Sequence, residues 1–137
     1  MSTPAALATW HRLVRERDMA GLDTLLADEA VFHSPVVHTP QVGTRITAAY
    51  LRAAFDVFFN DSFRYVRETV AEDHAVLEFE VVIDGISVNG IDMITWNAEG
   101  RVTAFKVMIR PLKAIQLIHQ KMAAMLEAQA ARAAKKA

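Results

Sequence analysis

The dipeptide Asp84-Gly85 constrains this chain more than any other feature. Before it, residues His74 to Ile83 alternate polar and apolar side chains with the two-residue period of a half-buried strand, and after it Ile86 to Trp96 does the same. Asp-Gly between two such runs predicts a two-residue hairpin, because a type I′ turn needs positive φ at both central positions, which Asp tolerates and Gly accepts freely. The turn fixes a register: Ile83 faces Ile86, Val81 faces Val88, Phe79 faces Gly90 and Leu77 faces Asp92. A carboxylate at position 92 therefore shares a sheet face with Leu77, Phe79, Val81, Ile94 and Trp96. Asn89-Gly90 is the one threat to this register, since it is itself a turn dipeptide and a bulge there would turn every later side chain over.

The rest of the chain places helices before and after strands. Thr3-Pro4 reads as an N-cap with proline at the first helical position, and Leu7, Trp10, Leu13 and Val14 put an apolar stripe on a helix over residues 4 to 17. Asp18 caps a short second helix with Leu22, Leu25 and Leu26 on its apolar side. Ala30 to Ser34 is a short strand ended by Pro35, followed by an irregular extended loop through Val42. A third helix opens at Gly43-Thr44 and stops near Asn60, with Ile46, Tyr50, Ala53, Ala54, Val57 and Phe58 along one stripe. Ser62 to Ala71 is a strand that turns near Glu72-Asp73 into the central hairpin. After the Asn97 to Gly100 turn, Arg101 to Arg110 forms the last strand, and a closing helix runs from Leu112 to about Leu126, with residues 128 to 137 frayed. Helices followed by a run of antiparallel strands predict an α+β domain with helices packed on one face of a bent sheet.

Composition limits what such a domain can do. With 137 residues, 53% of them hydrophobic, the chain is one domain long and can bury a core. Fifteen basic against sixteen acidic residues give a formal charge of −1, which provides no field for nucleic acid or anionic membrane. The absence of cysteine excludes thiolate chemistry and fits a cytoplasmic protein, as does the absence of a membrane-length apolar run or a signal-peptide core. His33 and His38 lack a third metal ligand, so no metal site and no cofactor is expected. No Ser-His-Asp arrangement, phosphate-cradling glycine loop or nucleotide fingerprint occurs.

The stretches Ala27-Asp-Glu-Ala-Val-Phe-His-Ser-Pro35, Gly43-Thr44, Gly90-Ile-Asp-Met-Ile-Thr-Trp96 and Gly100-Arg-Val-Thr-Ala-Phe105 resemble the nuclear-transport-factor-2-like superfamily, and do so over nearly the whole chain. That superfamily includes ketosteroid isomerases, SnoaL-like polyketide cyclases, limonene epoxide hydrolases and scytalone dehydratases. The resemblance implies a cone-shaped (cystatin-like) antiparallel sheet with N-terminal helices on its concave face, here with an extra C-terminal helix. Ile91-Asp92 before Ala98-Glu-Gly100 is similar to the ketosteroid isomerase pattern in which the Asp is a protonated oxyanion donor, a case that also serves as the general example of a carboxylic acid kept neutral by an apolar site. Asp92 is thus the candidate catalytic residue. The base of that family falls on Ser34 and its first-helix tyrosine on Trp10. A serine hydroxyl is no base near neutral pH, whereas an indole N–H can donate one hydrogen bond.

In a cone of this kind Trp10, Phe32, Ser34, Tyr50, Phe79 and Trp96 are expected to line the pocket, with His38 at its mouth. Two functional classes follow. One is a cofactor-independent isomerase, lyase or cyclase in which Asp92 serves a small, largely apolar, oxygen-bearing substrate. The other is a non-catalytic module that binds a small hydrophobic ligand or dimerises, with Asp92 a structural acid answered by Arg110. On the outer sheet face, Glu78, Glu80, Met93, Thr95, Met108 and Arg110 interleave charge with apolar side chains, which predicts a homodimer through the sheet.

Overall fold

A computed structural model of the chain describes residues 3–136. Helix α1 spans Ala5–Glu16 and is followed by a 3-10 turn at Met19–Gly21 and a single helical turn, α2, at Leu22–Leu25. Strand β1 (Leu26–His33), the two-residue β2 (Gln41–Val42) and helix α3 (Thr44–Phe58) come next. Strands β3 (Arg64–Val70), β4 (His74–Ile83), β5 (Ile86–Trp96) and β6 (Val102–Arg110) follow, and helix α4 (Leu112–Lys136) closes the chain. The strands form one curved, unclosed sheet in the order β2-β1-β6-β5-β4-β3. All pairings are antiparallel except that of β1 with β6.

The central hairpin has the register that its turn dictates. Asp84 and Gly85 have φ of 50° and 77°, and the pairs Ile83/Ile86, Val81/Val88, Phe79/Gly90 and Leu77/Asp92 continue unbroken to His74/Thr95. Asn89-Gly90 does not bulge. Gly90 belongs in the strand because a Cβ there would lie 2.6 Å from Cζ of Phe79 and 2.5 Å from the Met108 carbonyl oxygen, so the Phe79 ring occupies the space a side chain would need. Asn89 is held in the ladder as well, its amide donating to the Glu78 carboxylate and the Phe79 carbonyl.

Several element limits differ from the sequence reading. Pro4 stands at the N-cap of α1 with no side-chain cap, one position earlier than the proline rule places it. Leu26 opens β1 instead of ending α2: its backbone is extended, with φ −80° and ψ 135°, and it pairs with Val102 of β6. Helix α4 continues well beyond Leu126. Its Ala, Glu, Gln, Lys and Arg residues are strong helix formers, and Gln129 Nε2 donates to the Ala49 carbonyl at 3.3 Å, which ties the supposed fray to α3. Ala137 lies outside the described residues.

The core forms on the concave face of the sheet. Leu7, Trp10 and Leu13 of α1 meet Leu51 and Phe55 of α3 over the inward side chains of β4, β5 and β6, all of them buried. Helix α4 adds Ala114 and Ile118 at one end. The opposite face of the sheet carries the predicted mixture, with Met108 49% exposed and Glu78 facing Arg67.

Candidate functional site

Strand alternation carries Asp92 to the inner face, where the sequence placed it. Together with Thr47 it makes up the buried polar side chains among the described residues, and it is 7% exposed. Arg110, the cation offered by the structural reading, sits on the other face opposite Asn89 and does not reach it. The partner of Asp92 is a phenol instead: Tyr65 Oη donates to Asp92 Oδ2 at 2.6 Å, and Trp10 Nε1 donates to Tyr65 Oη at 3.0 Å. These three side chains form one directed chain of hydrogen bonds that ends on the carboxyl.

Tyr65 is the site residue that sequence reasoning missed. Counting back from the Glu72-Asp73 turn, Val70 pairs with Ala75, Thr69 with Val76, Glu68 with Leu77 and Arg67 with Glu78, which would put Val66 opposite Phe79 and send Tyr65 outward. The register shifts between Tyr65 and Arg67, so that Tyr65 itself faces Phe79 and points into the cone while Val66 is left 41% exposed. A bulge of one residue re-aims the side chain. The only hint in the sequence was an inward-facing tyrosine being worth more to an apolar face than a valine at its rim, which is too weak to specify a bulge.

Electrostatics follow from burial. Desolvation raises the Asp92 carboxyl to about 7, against which the Tyr65 hydrogen bond acts in the opposite direction. The Tyr65 phenol is pushed well above the usual tyrosine value, first by desolvation and then by the neighbouring Asp92. The phenol thus keeps its proton near neutral pH, and the acid holds its own to higher pH than an exposed aspartate does. Among the described residues, Tyr65 is the hydrogen-bond partner of the Asp92 carboxyl, on Oδ2, and the residue borders a chamber of about 30 Å³ walled by Trp10, Phe55, Phe58, Phe79 and Phe105.

A second cavity, of about 160 Å³, lies between the end of β1 and α4. Phe32 and Tyr50 stack at its floor with ring centroids 5.0 Å apart. Ser34 borders it with its hydroxyl already accepting from the Val36 and Val37 N–H groups, so only its proton remains to offer a ligand. The α4 side chains Ile118, His119, Met122 and Leu126 complete the wall, a role the apolar stripe of that helix did not distinguish from ordinary packing. Trp10 and Phe79 line the deep chamber, and Phe32, Ser34 and Tyr50 the outer one. Two expected members stand elsewhere. Trp96 lines neither cavity, because its indole donates to the Glu72 carbonyl at 2.9 Å and closes the β3–β4 turn. His38 is exposed on the loop after Pro35 and borders neither cavity. Among the described residues, no group of three His, Asp or Glu is placed to hold a metal, and no helix is long and apolar enough to cross a membrane.

Comparison with known proteins adds to this geometry. A family described as a SnoaL-like domain matches residues 7–105, which include Trp10, Tyr65 and Asp92 but not α4. The chain is similar to a solved steroid delta-isomerase from Pseudomonas aeruginosa, with 34% identity over 96% of this chain and 97% of that one and a TM-score of 0.88. It is also similar to an uncharacterized protein with a cystatin-like fold from Silicibacter pomeroyi, at 28% identity over 87% and 83% of the two chains and a TM-score of 0.79. A protein with a ketosteroid isomerase-like fold from Catenulispora acidiphila, solved in complex with trimethylamine, shares the fold at 16% identity over 83% and 91% of the chains, with a TM-score of 0.59. None of the curated proteins matches the chain.

Proposed function

We propose a function from one premise: this chain belongs to the SnoaL-like domain family, with the nuclear-transport-factor-2-like fold. The protein is a small-molecule pocket protein of isomerase type. Asp92 is its acid–base group, and its substrate is small, largely apolar and oxygen-bearing. The observation that carries this reading is the Asp92 carboxyl bordering an apolar chamber with its Oδ2 held by Tyr65.

The chemistry needs no cofactor. With a carboxyl that half-ionises near pH 7, both protonation states are available at working pH, which is the condition for efficient general acid–base catalysis. In the acid form, Oδ1–H protonates an oxygen on which negative charge develops. The carboxylate that remains is stabilised by the Tyr65 hydroxyl, itself oriented by the Trp10 indole N–H. A proton released from a carbon or hydroxyl of the same substrate returns to the carboxylate, so the cycle is balanced. Low dielectric strengthens each of these hydrogen bonds.

Asp92 should titrate by carbon-13 NMR near pH 7, and the protein should catalyse exchange of the α-hydrogens of small apolar ketones with deuterated water. Asp92→Asn keeps a donor but no transferable proton and should abolish the exchange. A carboxyl that titrates at or below about 3.9 would end the acid–base reading.

One observation favours a second reading, a binding module without catalysis. The Tyr65 hydroxyl is committed to Asp92 and Ser34 is no base, so among the described residues Asp92 is the one titratable group that lines the deep chamber. Under either reading we place the protein in the cytoplasm as a homodimer through the outer sheet face, the dimer supported by the half-exposed Met108 beside the charged Glu78 and Arg110. Light scattering showing a monomer at high micromolar concentration would count against the dimer.

A further inference from the structure

Resting on that reading, we propose that the deep chamber and the outer cavity are one site, shaped for a slender amphiphile: an oxygen-bearing head at Asp92 on a narrow aliphatic tail that runs out beneath α4. The two spaces share Ala54, Phe58 and Val107 in their linings. These three side chains form a neck, and the smallest of them, Ala54, faces a passage that a larger residue would close.

The proportions select the ligand. The deep chamber holds about 30 Å³, room for roughly two water-sized groups. A carbonyl or hydroxyl head fits there, and a fused ring system does not. The chamber is also unable to widen cheaply. Trp10 packs edge-on against Phe55 at 5.6 Å and Phe105 at 4.9 Å, and Phe58 against Phe79 at 5.6 Å, so moving one ring disturbs the others. Beyond the neck the about 160 Å³ cavity is walled by Val37, Met122 and Leu126, and Val37 is 42% exposed, which opens this end to solvent. Methionine there adapts to a flexible tail. Among the described lining residues the polar side chains are Trp10 and Asp92 in the deep chamber and Ser34, Tyr50 and His119 in the outer cavity, while the three shared by both are apolar, so the middle of the ligand must be apolar.

The test is calorimetric titration of the full chain with methyl ketones of increasing length, from four to twelve carbons, and with a rigid tetracyclic steroid ketone. Affinity should rise about fourfold per added CH₂ until the outer cavity is full, and the steroid ketone should bind no better than the shortest member. Ala54→Leu should block the neck, flatten the series and weaken every member, the shortest included, because each reaches Asp92 through it. If that variant fails to fold, the exposed Ala123→Phe, on the rim of the mouth, should shorten the series to an earlier plateau. A flat series in the unmodified protein, or steroid binding tighter than the longest ketone, overturns the proposal. The proton-transfer reading fails separately: a rising series without α-hydrogen exchange leaves the slender site standing, and exchange with a flat series removes it.

Discussion

The two ends of the cavity are built on opposite plans. At the deep end, rigid strands present Asp92 and Tyr65, interlocked aromatic rings set the volume, and each hydrogen bond has one geometry. At the mouth, a helix outside the family match contributes aliphatic and methionine side chains around a space several times larger. The difference separates two tasks. A proton must be positioned to within tenths of an ångström, and a tail only has to be kept dry. Sites built on regular elements and packed side chains supply the first, and adaptable apolar walls supply the second.

Removing the mouth should cost the most. A chain ended at Ala114 loses the buried Ile118 and the partly buried Leu117, Met122 and Met125, on the order of 5 kcal/mol at 1.5–3 kcal/mol for each fully buried aliphatic. Urea denaturation should show a large part of the total stability gone. If instead the truncated chain keeps its stability, α4 is a detachable cover and the comparison must be redrawn.

The deep end should dominate the response to pH. Asp92 is raised from 3.8 to about 7 in the folded protein, so between these values the folded state holds a proton that the unfolded state has released. Stability is therefore full below about pH 4 and falls as pH rises through 7, by about 4 kcal/mol in all. Asp92→Asn removes this dependence, and thermal melts of the two proteins across pH 4 to 8 should diverge towards the alkaline end. Parallel curves would mean the acid is not buried as described.

Tyr65→Phe should cost about 1–3 kcal/mol, since it leaves the Trp10 N–H and Asp92 Oδ2 without their partner. Because the phenol holds the Asp92 value down, its loss should move the carbon-13 titration of Asp92 above 7. An unchanged titration would show that the phenol merely fills space. The smallest effect belongs to the end of α4: stopping at Glu127 removes one hydrogen bond, from Gln129 to Ala49, and should cost about 1 kcal/mol in the same urea assay.

These ends also differ in how far the sequence disclosed them. Asp84-Gly85 pins β4 to β5, and alternation alone then carries Asp92 to the inner face. Tyr65 escaped because its orientation depends on a bulge between Tyr65 and Arg67, and no local dipeptide marks it. Trp96 illustrates a different failure: it faces inward as its parity requires, but at the turn end of the sheet, where its indole meets a carbonyl before it can meet a ligand. His38 follows a proline-broken strand, where no periodicity fixes a direction. The contribution of α4 to the mouth was hidden because an apolar helix stripe reads alike whether it covers a core or a cavity.

Gly90 shows how the volume of a cavity can be inherited through a residue that never touches it. Phe79 walls the deep chamber and its ring, with the Met108 carbonyl, lies where a Gly90 side chain would stand, so position 90 cannot gain a side chain while the ring stays in place. A lineage that acquired a larger residue at 90 would have to accept both a smaller one at 79 and a shift of the β6 backbone at Met108, and the ring given up would become space beside the acid. Cavity volume in descendants of this chain is then tied to the strand ladder, and a residue other than glycine at 90 would report that the chamber has changed.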